Sequence, residues 1–185
     1  MKSIVDISLL SPKSLRGEND LHRLTQLINE AYALTEGPMF RENYVRTNAG
    51  EIEKKFEKHT HLGAWVKEVI VGGVYVEKLT DGISTFGMLA VDPAYMGLGI
   101  GKQLVQAAEE RSLELGCSHM KIEIVRSHKI SMPHKDVLHA WYQRMGYEFL
   151  GESSIESIYP NIIPDIIHEG VIQLFQKSLT VPKTP

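Results

Sequence analysis

The 185-residue chain lacks several features that mark large protein classes. Its single cysteine, Cys117, cannot form an internal disulfide or build a thiolate zinc site, which excludes a disulfide-rich secreted fold. No apolar run approaches the ~18 residues that a membrane-spanning helix needs. The first ten residues include Asp6 within their apolar stretch and do not resemble a signal peptide. We therefore expect a cytoplasmic protein with no membrane partner.

Positive charge is also not in excess. The chain has 20 Lys and Arg against 23 Asp and Glu, a formal net charge of -3. A basic stripe with interleaved aromatic residues, typical of nucleic-acid binding, is missing, so no nucleic-acid partner is expected. The length and a globular composition predict one compact domain over residues 1–180, followed by a frayed tail at 181–185.

Hydrophobic periodicity predicts alternating strands and helices. Strands are expected at residues 4–10, 62–66, 69–77, 83–91, 119–125, 147–150 and 171–179. Helices are expected from residue 19 to the Gly37-Pro38 stop, and at 51–59, 99–115 and 137–145, with a loop or short helix at 39–49. The segment 62–91 is predicted to be an antiparallel meander, and the strands at 83–91 and 119–125 to be parallel neighbours. The long connection at 153–170 is of a kind that often has a function.

A glycine-rich turn follows the fourth predicted strand. Its sequence from Val91 to Gly101 is V-D-P-A-Y-M-G-L-G-I-G. The glycines allow a ligand to approach the backbone, and free N–H groups at the positive end of a helix suit a phosphate. The G-x-G-x-G spacing differs from the dinucleotide-binding pattern, and the G-K-[ST] of a nucleotide triphosphate loop does not follow. A turn with a purely structural role is the alternative interpretation.

The turn resembles motif A of the GNAT superfamily of acetyl-CoA-dependent N-acetyltransferases, whose pattern is [RQ]-x-x-G-x-[GA]. The later segment from Leu138 to Tyr147, L-H-A-W-Y-Q-R-M-G-Y, resembles motif B, an aromatic-rich helix that ends in Y-x-x-x-G-[FY]. The two motifs stand in the family's order, and the predicted elements match the family over residues 4–179. The resemblance implies a three-layer α/β fold, with a central mixed twisted sheet of about seven strands flanked by about four helices.

The resemblance also implies acetyl-CoA as the acyl donor. The cofactor-binding residues that it implies are Leu89, Ala90, Val91, Met96, Gly97, Leu98, Gly99, Ile100, Gly101, Lys102 and Tyr142. Met96 stands where the family usually has Arg or Gln, and a methionine cannot make a charge-assisted contact with the diphosphate. The backbone N–H groups from Gly97 to Lys102 must then do most of the binding. We expect weaker acetyl-CoA binding than in an arginine-bearing relative.

Direct attack of an amine on the thioester requires hydrogen-bond donors for the thioester oxygen, a proton acceptor and an acid for the thiolate. The family geometry implies the backbone N–H of Val91 or Leu89 as a donor to the oxygen. Tyr142 matches the motif B tyrosine, which implies that it is the general acid. Its alternative role is packing in an aromatic stripe with Trp141.

The proton acceptor is less clearly marked. Glu123 could reach a central cleft from the fifth strand and is the candidate base. The competing interpretation is a solvated carboxylate that pairs with Lys121 or Arg126. Glu77 and His128 are weaker candidates.

The histidines do not suggest a metal centre. The spacings of His119, His128, His134 and His139 fit no usual zinc pattern, so no metal is expected.

The acceptor site in this family is commonly shaped by the first two helices with their loop and by the last long connection. The residues that this implies are Tyr32, Met39, Phe40, Arg41 and Tyr44 on one side and Tyr159, Ile162 and Ile163 on the other. These residues are bulky and include few carboxylates, which favours a small primary amine or an amino-acid-like metabolite over a polyamine as the acceptor. A protein N-terminus or lysine is the alternative acceptor, and a non-catalytic acyl-CoA sensor is an alternative function. The protein is expected to be a monomer or a homodimer.

Overall fold

The computed structural model describes residues 5–58 and 60–180. The strands are β1 (Val5–Leu9), β2 (His61–Val66), β3 (Val69–Thr80), β4 (Ile83–Val91), β5 (His119–Arg126), β6 (Glu148–Ser154) and β7 (Val171–Ser178). The helices are α1 (Asp20–Glu36), α2 (Ala49–Glu57), α3 (Ile100–Glu114), α4 (Pro133–Arg144) and the single turn α5 (Ile155–Ile158). Short 3-10 turns lie at Gly37–Met39, Pro93–Tyr95 and Pro160–Asp165. The mixed α/β architecture implied by the resemblance is confirmed.

The strands form one sheet in the order β1-β2-β3-β4-β5-β7-β6. The strands β4 and β5 are parallel, as predicted, and all other neighbouring pairs are antiparallel. The parallel pairing runs only from Ile83 opposite His119 to Thr85 opposite Lys121. From Phe86 onwards, the described part of β4 has no partner on β5, so the sheet is open between the carboxyl halves of these two strands.

An irregularity in β4 accompanies this opening. The register between β3 and β4 shifts between Gly73 and Tyr75, and Met88 has a φ of 53°. Bulges of this kind bend a strand and increase its twist. The hydroxyl of Tyr32 on α1 accepts a hydrogen bond from the Met88 N–H at 3.1 Å. The α1 helix therefore holds β4 at its irregularity.

The sheet separates two layers of helices. On one face, α3 buries Leu104 and Val105 against the side chains of β5, including Ile122 and Ile124. On the other face, α1 buries Leu24 in a second cluster that includes the side chains of α2. The alternating burial of β5 follows from the period of two in a strand and places Glu123 on the face opposite Ile122.

Some element boundaries differ from the predictions. Helix α4 begins at Pro133 rather than at residue 137, because a proline suits the first position of a helix. The sequence pattern missed this start because the residues that follow Pro133 are polar and show no helical period of apolar side chains. Val137, the predicted first residue of this helix, is 66% exposed. Strand β6 continues to Ser154. The predicted helix end at residue 59, the strand start at residue 4 and the tail at 181–185 lie outside the described residues.

None of the described helices is both long enough and apolar enough to cross a membrane.

Candidate active site

The glycine-rich turn is anchored at its start. The Asp92 side chain accepts a hydrogen bond from the Ala94 N–H at 2.9 Å, which stabilises the 3-10 turn after β4. The same carboxylate forms an ion pair with Arg23 on α1, and the Arg23 Nε donates to the Ile70 carbonyl at 2.8 Å. The turn is thus tied both to α1 and to the start of β3.

The turn opens into an uncapped helix. Gly97 and Gly99 have φ values of 81° and 73°, a region that other residues rarely adopt. Helix α3 starts at Ile100, and no side chain of a described residue caps its N-terminus. A Cβ added at Gly97 or Gly99 would meet nothing within 4 Å. The first N–H groups of α3 therefore face open space at the positive end of the helix dipole.

A cleft of about 660 Å³ lies between this turn and α4. Its walls include the predicted Val91, Met96, Gly97, Gly99, Ile100, Gly101 and Lys102. A Cβ at Gly101 would lie 3.8 Å from Val91 and 4.0 Å from Trp141, so the absence of a side chain there keeps the cleft open. Met96 and Leu98 are mostly exposed. The structure brings most of the predicted cofactor-binding residues to one surface, while Ala90 is buried in the core on the α1 side.

The open edge of β4 offers backbone donors. The N–H of Asp92 donates to the Val71 carbonyl of β3 at 2.8 Å. Because successive N–H groups of a strand point to opposite edges, the N–H groups of Val91 and Leu89 point towards β5, where the sheet is open. The side chain of Leu89 lines a central pocket of about 160 Å³, and that of Val91 lines the larger cleft. The two cavities share Thr35 and Leu138 as walls.

Tyr142 lines the central pocket and also packs against neighbouring aromatic rings. It is 5% exposed, and its ring centroid lies 5.9 Å from that of Phe86 and 5.7 Å from that of Tyr147. Burial, with a smaller contribution from nearby Tyr32, raises the pKa of Tyr142 well above its ordinary value of 10. The phenol is therefore protonated at neutral pH.

Glu123 lines the same pocket and is bound by another predicted site residue. The Tyr159 hydroxyl, from the connection between β6 and β7, donates a hydrogen bond to the Glu123 carboxylate. Burial raises the pKa of Tyr159 far above its ordinary value, and the hydrogen bond to Glu123 adds to this effect. The alternative pairing of Glu123 with Arg126 is not found, because Arg126 binds Asp136 at 2.6 Å.

The other two candidate bases lie outside this pocket. Glu77 lines a separate cavity beside α2, together with Lys55 and Tyr75. His128 is exposed and contacts Glu152 at 3.0 Å. Among the residues that the structure describes, no three His, Cys, Asp or Glu side chains are grouped so that they could bind a metal ion.

The two segments predicted to form the acceptor site meet in space. Phe40 forms a β-bridge with Ile166, and the Arg41 N–H donates to the Asp165 carbonyl at 2.8 Å. The Arg41 side chain also forms a 2.7 Å ion pair with Asp165. The ring of Phe40 stacks on Tyr44 with centroids 4.1 Å apart. Tyr32, Phe40, Arg41 and Tyr44 line one small pocket, while Tyr159 reaches the site through Glu123.

Comparison with known families identifies the fold. A sequence profile described as the acetyltransferase (GNAT) family matches residues 21–147, which is more than half of the chain. The chain belongs to the acetyltransferase (GNAT) family. No curated protein shows significant sequence similarity to it.

Several solved structures share the fold of this GNAT chain. Ard1 from Thermoplasma volcanium aligns with a TM-score of 0.67 and 14% identity, over 96% of this chain and 99% of its own. An N-acetyltransferase from Staphylococcus aureus Mu50 aligns with a TM-score of 0.67 and 16% identity, over 95% and 97%. The PaiA N-acetyltransferase from Thermoplasma acidophilum, solved in complex with coenzyme A, aligns with a TM-score of 0.65 and 17% identity, over 94% and 98%.

The GNAT chain also has site residues that sequence reasoning missed. The additional walls of the large cleft are Thr35, Tyr95, His134, Val137, Leu138 and Trp141. Val137, Leu138 and Trp141 recur at helical spacing in the sequence. This spacing does not reveal a cleft wall, because it is equally typical of a helix face that packs in the core. Glu36 on α1 and Lys135 on α4 form a 2.6 Å ion pair that is almost fully buried. The two residues are 99 positions apart, so no local pattern could reveal this pair.

Proposed function

We propose that this GNAT protein transfers an acetyl group from acetyl-CoA to the primary amine of a small molecule, by direct attack of the amine. The observation that carries this proposal is the path from the uncapped start of α3, along the open edge of β4, to a pocket that contains Tyr142 and Glu123. The N–H groups that suit a phosphate, the N–H groups that suit the thioester oxygen and the two acid–base side chains thus follow one another along a single surface.

The chain has a suitable place for coenzyme A. The free N–H groups at the start of α3 suit the diphosphate, and the positive φ of Gly97 and Gly99 directs the turn so that these groups are accessible. Lys102 and His134 line the same cleft and supply polar side chains in place of the usual Arg or Gln at position 96. PaiA with coenzyme A and YncA from Salmonella typhimurium with acetyl-CoA, both similar in fold, support this assignment.

Bound acetyl-CoA supplies an electrophilic thioester carbonyl. The N–H groups of Leu89 and Val91 point into the opening where this carbonyl would lie, and they would donate hydrogen bonds to its oxygen as negative charge develops there. Because these N–H groups belong to a strand, they are oriented before the substrate arrives. Met88 is bound by Tyr32 on α1, which fixes the strand next to these donors.

Proton transfers fall to two groups in the central pocket. Glu123 would accept a proton from the attacking amine, directly or through water, while the Tyr159 hydroxyl orients its carboxylate. Tyr142 would donate a proton to the departing thiolate of coenzyme A. A phenol that stays protonated at neutral pH is suited to this role, and its burial maintains that state.

The acceptor side is narrow. The central pocket measures about 160 Å³ and the pocket beside the loop between α1 and α2 about 170 Å³, against about 660 Å³ for the large cleft. The bridge between Phe40 and Ile166 joins the two segments around this region. These dimensions favour a small amine over a folded protein surface.

Calorimetric titration with acetyl-CoA, followed by release of free thiol over a panel of primary amines, tests the proposal. We expect saturable binding of acetyl-CoA and amine-dependent thiol release. Desulfo-coenzyme A, which cannot carry an acyl group, is the control for binding without chemistry. The absence of acetyl-CoA binding would overturn the assignment, and binding without turnover on any amine would support the sensor function instead.

A further inference from the structure

Arg46 lies in the connection between α1 and α2, beside the proposed catalytic pocket. Its side chain lines the pocket of about 170 Å³, together with Tyr32, Glu36 and Tyr44. Tyr32 and Glu36 also line the central pocket that contains Glu123 and Tyr142. The pocket that Arg46 lines and the pocket that contains the proposed proton acceptor Glu123 are therefore adjacent and share these two residues.

Arg46 differs from the other described arginines in its partners. The side chains of Arg16, Arg23, Arg41, Arg111 and Arg126 all form ion pairs with carboxylates. Within the described ranges, Arg46 and the exposed Arg144 have no such pair. The Nε of Arg46, like those of Arg111 and Arg126, is buried and has no hydrogen-bond partner, but the other two arginines each have an ion pair. An unsatisfied buried donor on a charged group is costly, and a ligand can remove this cost.

Neighbouring residues fix Arg46 in position. The next residue, Thr47, is bound to Asn29 of α1 by two hydrogen bonds. The Asn29 side-chain N–H donates to the Thr47 carbonyl at 2.9 Å, and the Thr47 N–H donates to the Asn29 side-chain oxygen at 3.0 Å. The guanidinium carbon lies 5.1 Å from the centroid of the Tyr32 ring, which is a cation–π distance. Little conformational freedom is left to lose when a ligand binds.

Arg46 lies near Glu36 but forms no ion pair with it or with another described carboxylate. Glu36 is the carboxylate in the wall of the same pocket, but it is bound to Lys135 at 2.6 Å. A guanidinium remains charged at any physiological pH. The guanidinium of Arg46 therefore has no carboxylate in direct contact, and the carboxylate of a ligand would supply one.

We propose that Arg46 binds the carboxylate of the acceptor, so that the substrates are amino acids or closely similar amines that carry a carboxylate. This inference rests on the proposed function. The planar guanidinium can bind a carboxylate through two parallel hydrogen bonds, which fixes the orientation of the acceptor as well as its position. An acceptor held in this way by Arg46 presents its amine towards the adjoining pocket, which contains Glu123.

Matched acceptors test the inference on the unmodified enzyme. Each of a set of amino acids is compared with its own α-amide and with a tetrapeptide amide that begins with the same residue, by thiol release from acetyl-CoA. We expect kcat/KM to be at least tenfold higher for the free acid than for the amide. Equal values, or a preference for the peptide amides, would overturn the carboxylate assignment while leaving acetyl transfer intact. The absence of turnover on every amine would overturn the proposed function and this inference together.

Two variants locate the preference at Arg46. Arg46→Met should raise KM for the free acids at least tenfold more than for the amides, so that the preference disappears. Arg46→Lys retains the charge without the two-bond geometry and should retain part of the preference. Arg16→Met is the matched control, because Arg16 also lies over an aromatic ring, Trp65, at 4.5 Å, but outside the site. A preference that survives in Arg46→Met, or that is equally lost in Arg16→Met, would overturn the role of Arg46.

A binding measurement makes the test independent of catalysis. The N-acetyl amino acid product and its amide are titrated into the enzyme in the presence of coenzyme A. The acid should bind at least tenfold more tightly to the unmodified enzyme, and Arg46→Met should remove the difference. Melting temperature and acetyl-CoA affinity show whether each variant is folded. Equal binding of the two products by the unmodified enzyme would contradict the inference whatever the variants do.

Discussion

The hydroxyl of Tyr159 donates a hydrogen bond to the carboxylate of Glu123. The two residues come from β5 and from the connection between β6 and β7, and they meet where β4 and β5 are no longer paired. Because burial raises the pKa of Tyr159, the phenol stays a donor over the physiological range. The contact joins the proposed proton acceptor to the connection between β6 and β7.

Removal of the Glu123 carboxylate should therefore affect turnover more than removal of its partner. Glu123→Gln should lower kcat/KM about 100-fold or more, which is the lower range for loss of a general base. Tyr159→Phe should cost about tenfold, the effect of one hydrogen bond to a charged group. Steady-state kinetics over a range of acceptor concentrations measure both. Glu77→Gln, outside the central pocket, should retain activity; a loss there equal to that of Glu123→Gln would move the base to Glu77.

Tyr142 should be needed for turnover and not for cofactor binding. Tyr142→Phe removes the proposed acid, so kcat should fall by about 100-fold while acetyl-CoA affinity stays within about twofold. The matched control is Tyr147→Phe, a buried neighbour whose hydroxyl donates to Glu109 at 2.9 Å. This control should lose about 1 kcal/mol of unfolding free energy and keep its kcat. Full activity of Tyr142→Phe would restrict Tyr142 to packing.

A methyl group at position 101 should separate stability from cofactor binding. Gly101 lies in the first turn of α3 without close neighbours, so Gly101→Ala should raise the unfolding free energy by up to about 1 kcal/mol. The same methyl group enters the cleft between Val91 and Trp141 and should weaken acetyl-CoA binding about tenfold or more. Gly116→Ala is the converse control, because Gly116 has a φ of 76°, where an alanine is strained. This variant should lose about 1 kcal/mol of unfolding free energy and keep its affinity for acetyl-CoA. Unchanged acetyl-CoA affinity in Gly101→Ala would place the cofactor elsewhere.

A cation at position 96 should strengthen acetyl-CoA binding. Met96 lines the large cleft and is 65% exposed. An arginine there can therefore reach a bound diphosphate without the free-energy cost of burying its charge. We expect Met96→Arg to tighten binding roughly fivefold at low salt, with a smaller gain at high salt. Leu79→Arg adds the same charge at the opposite end of the β3–β4 hairpin and controls for net charge. Unchanged or weaker binding in Met96→Arg would contradict the proposed position of the diphosphate.

His61 should make the fold sensitive to acid. Its ring is fully buried without a hydrogen-bond partner, and burial, with a smaller effect of Lys55, lowers its pKa to about 3. As the pH falls below 6.5, the unfolded chain binds a proton at His61 that the folded chain does not, so the unfolding free energy falls. The decline continues to about pH 3, with a limiting slope of about 1.4 kcal/mol per pH unit from this residue.

Urea unfolding at a series of pH values measures the effect of His61. His61→Leu should flatten the dependence between pH 6.5 and 4, whereas His22→Asn at an exposed position should retain it. An identical slope in His61→Leu and in the unmodified protein would assign the acid sensitivity to other groups.

Local patterns predicted the strands, the main helices and the glycine-rich turn because these depend on residues close together in the chain, whereas the seven-stranded sheet was implied by the family resemblance. The period of two placed Glu123 on the face opposite Ile122, and the structure confirms that placement. The pair of Glu36 and Lys135 could not be predicted in this way, because each residue belongs to a different helix and their proximity depends on how both helices pack at the opening. Arg46 was missed for the same reason: only the folded chain shows that it has no carboxylate partner.

Only three residue pairs join β4 to β5, and this has a consequence for how such a protein can diversify. The central pocket at this gap is lined by members of the first hydrophobic cluster, among them Phe86, Ile122 and Tyr142. Because these side chains belong to the pocket and to the core at once, a substitution that changes which amine is accepted also repacks the core. A change of acceptor preference in this architecture therefore carries a cost in stability.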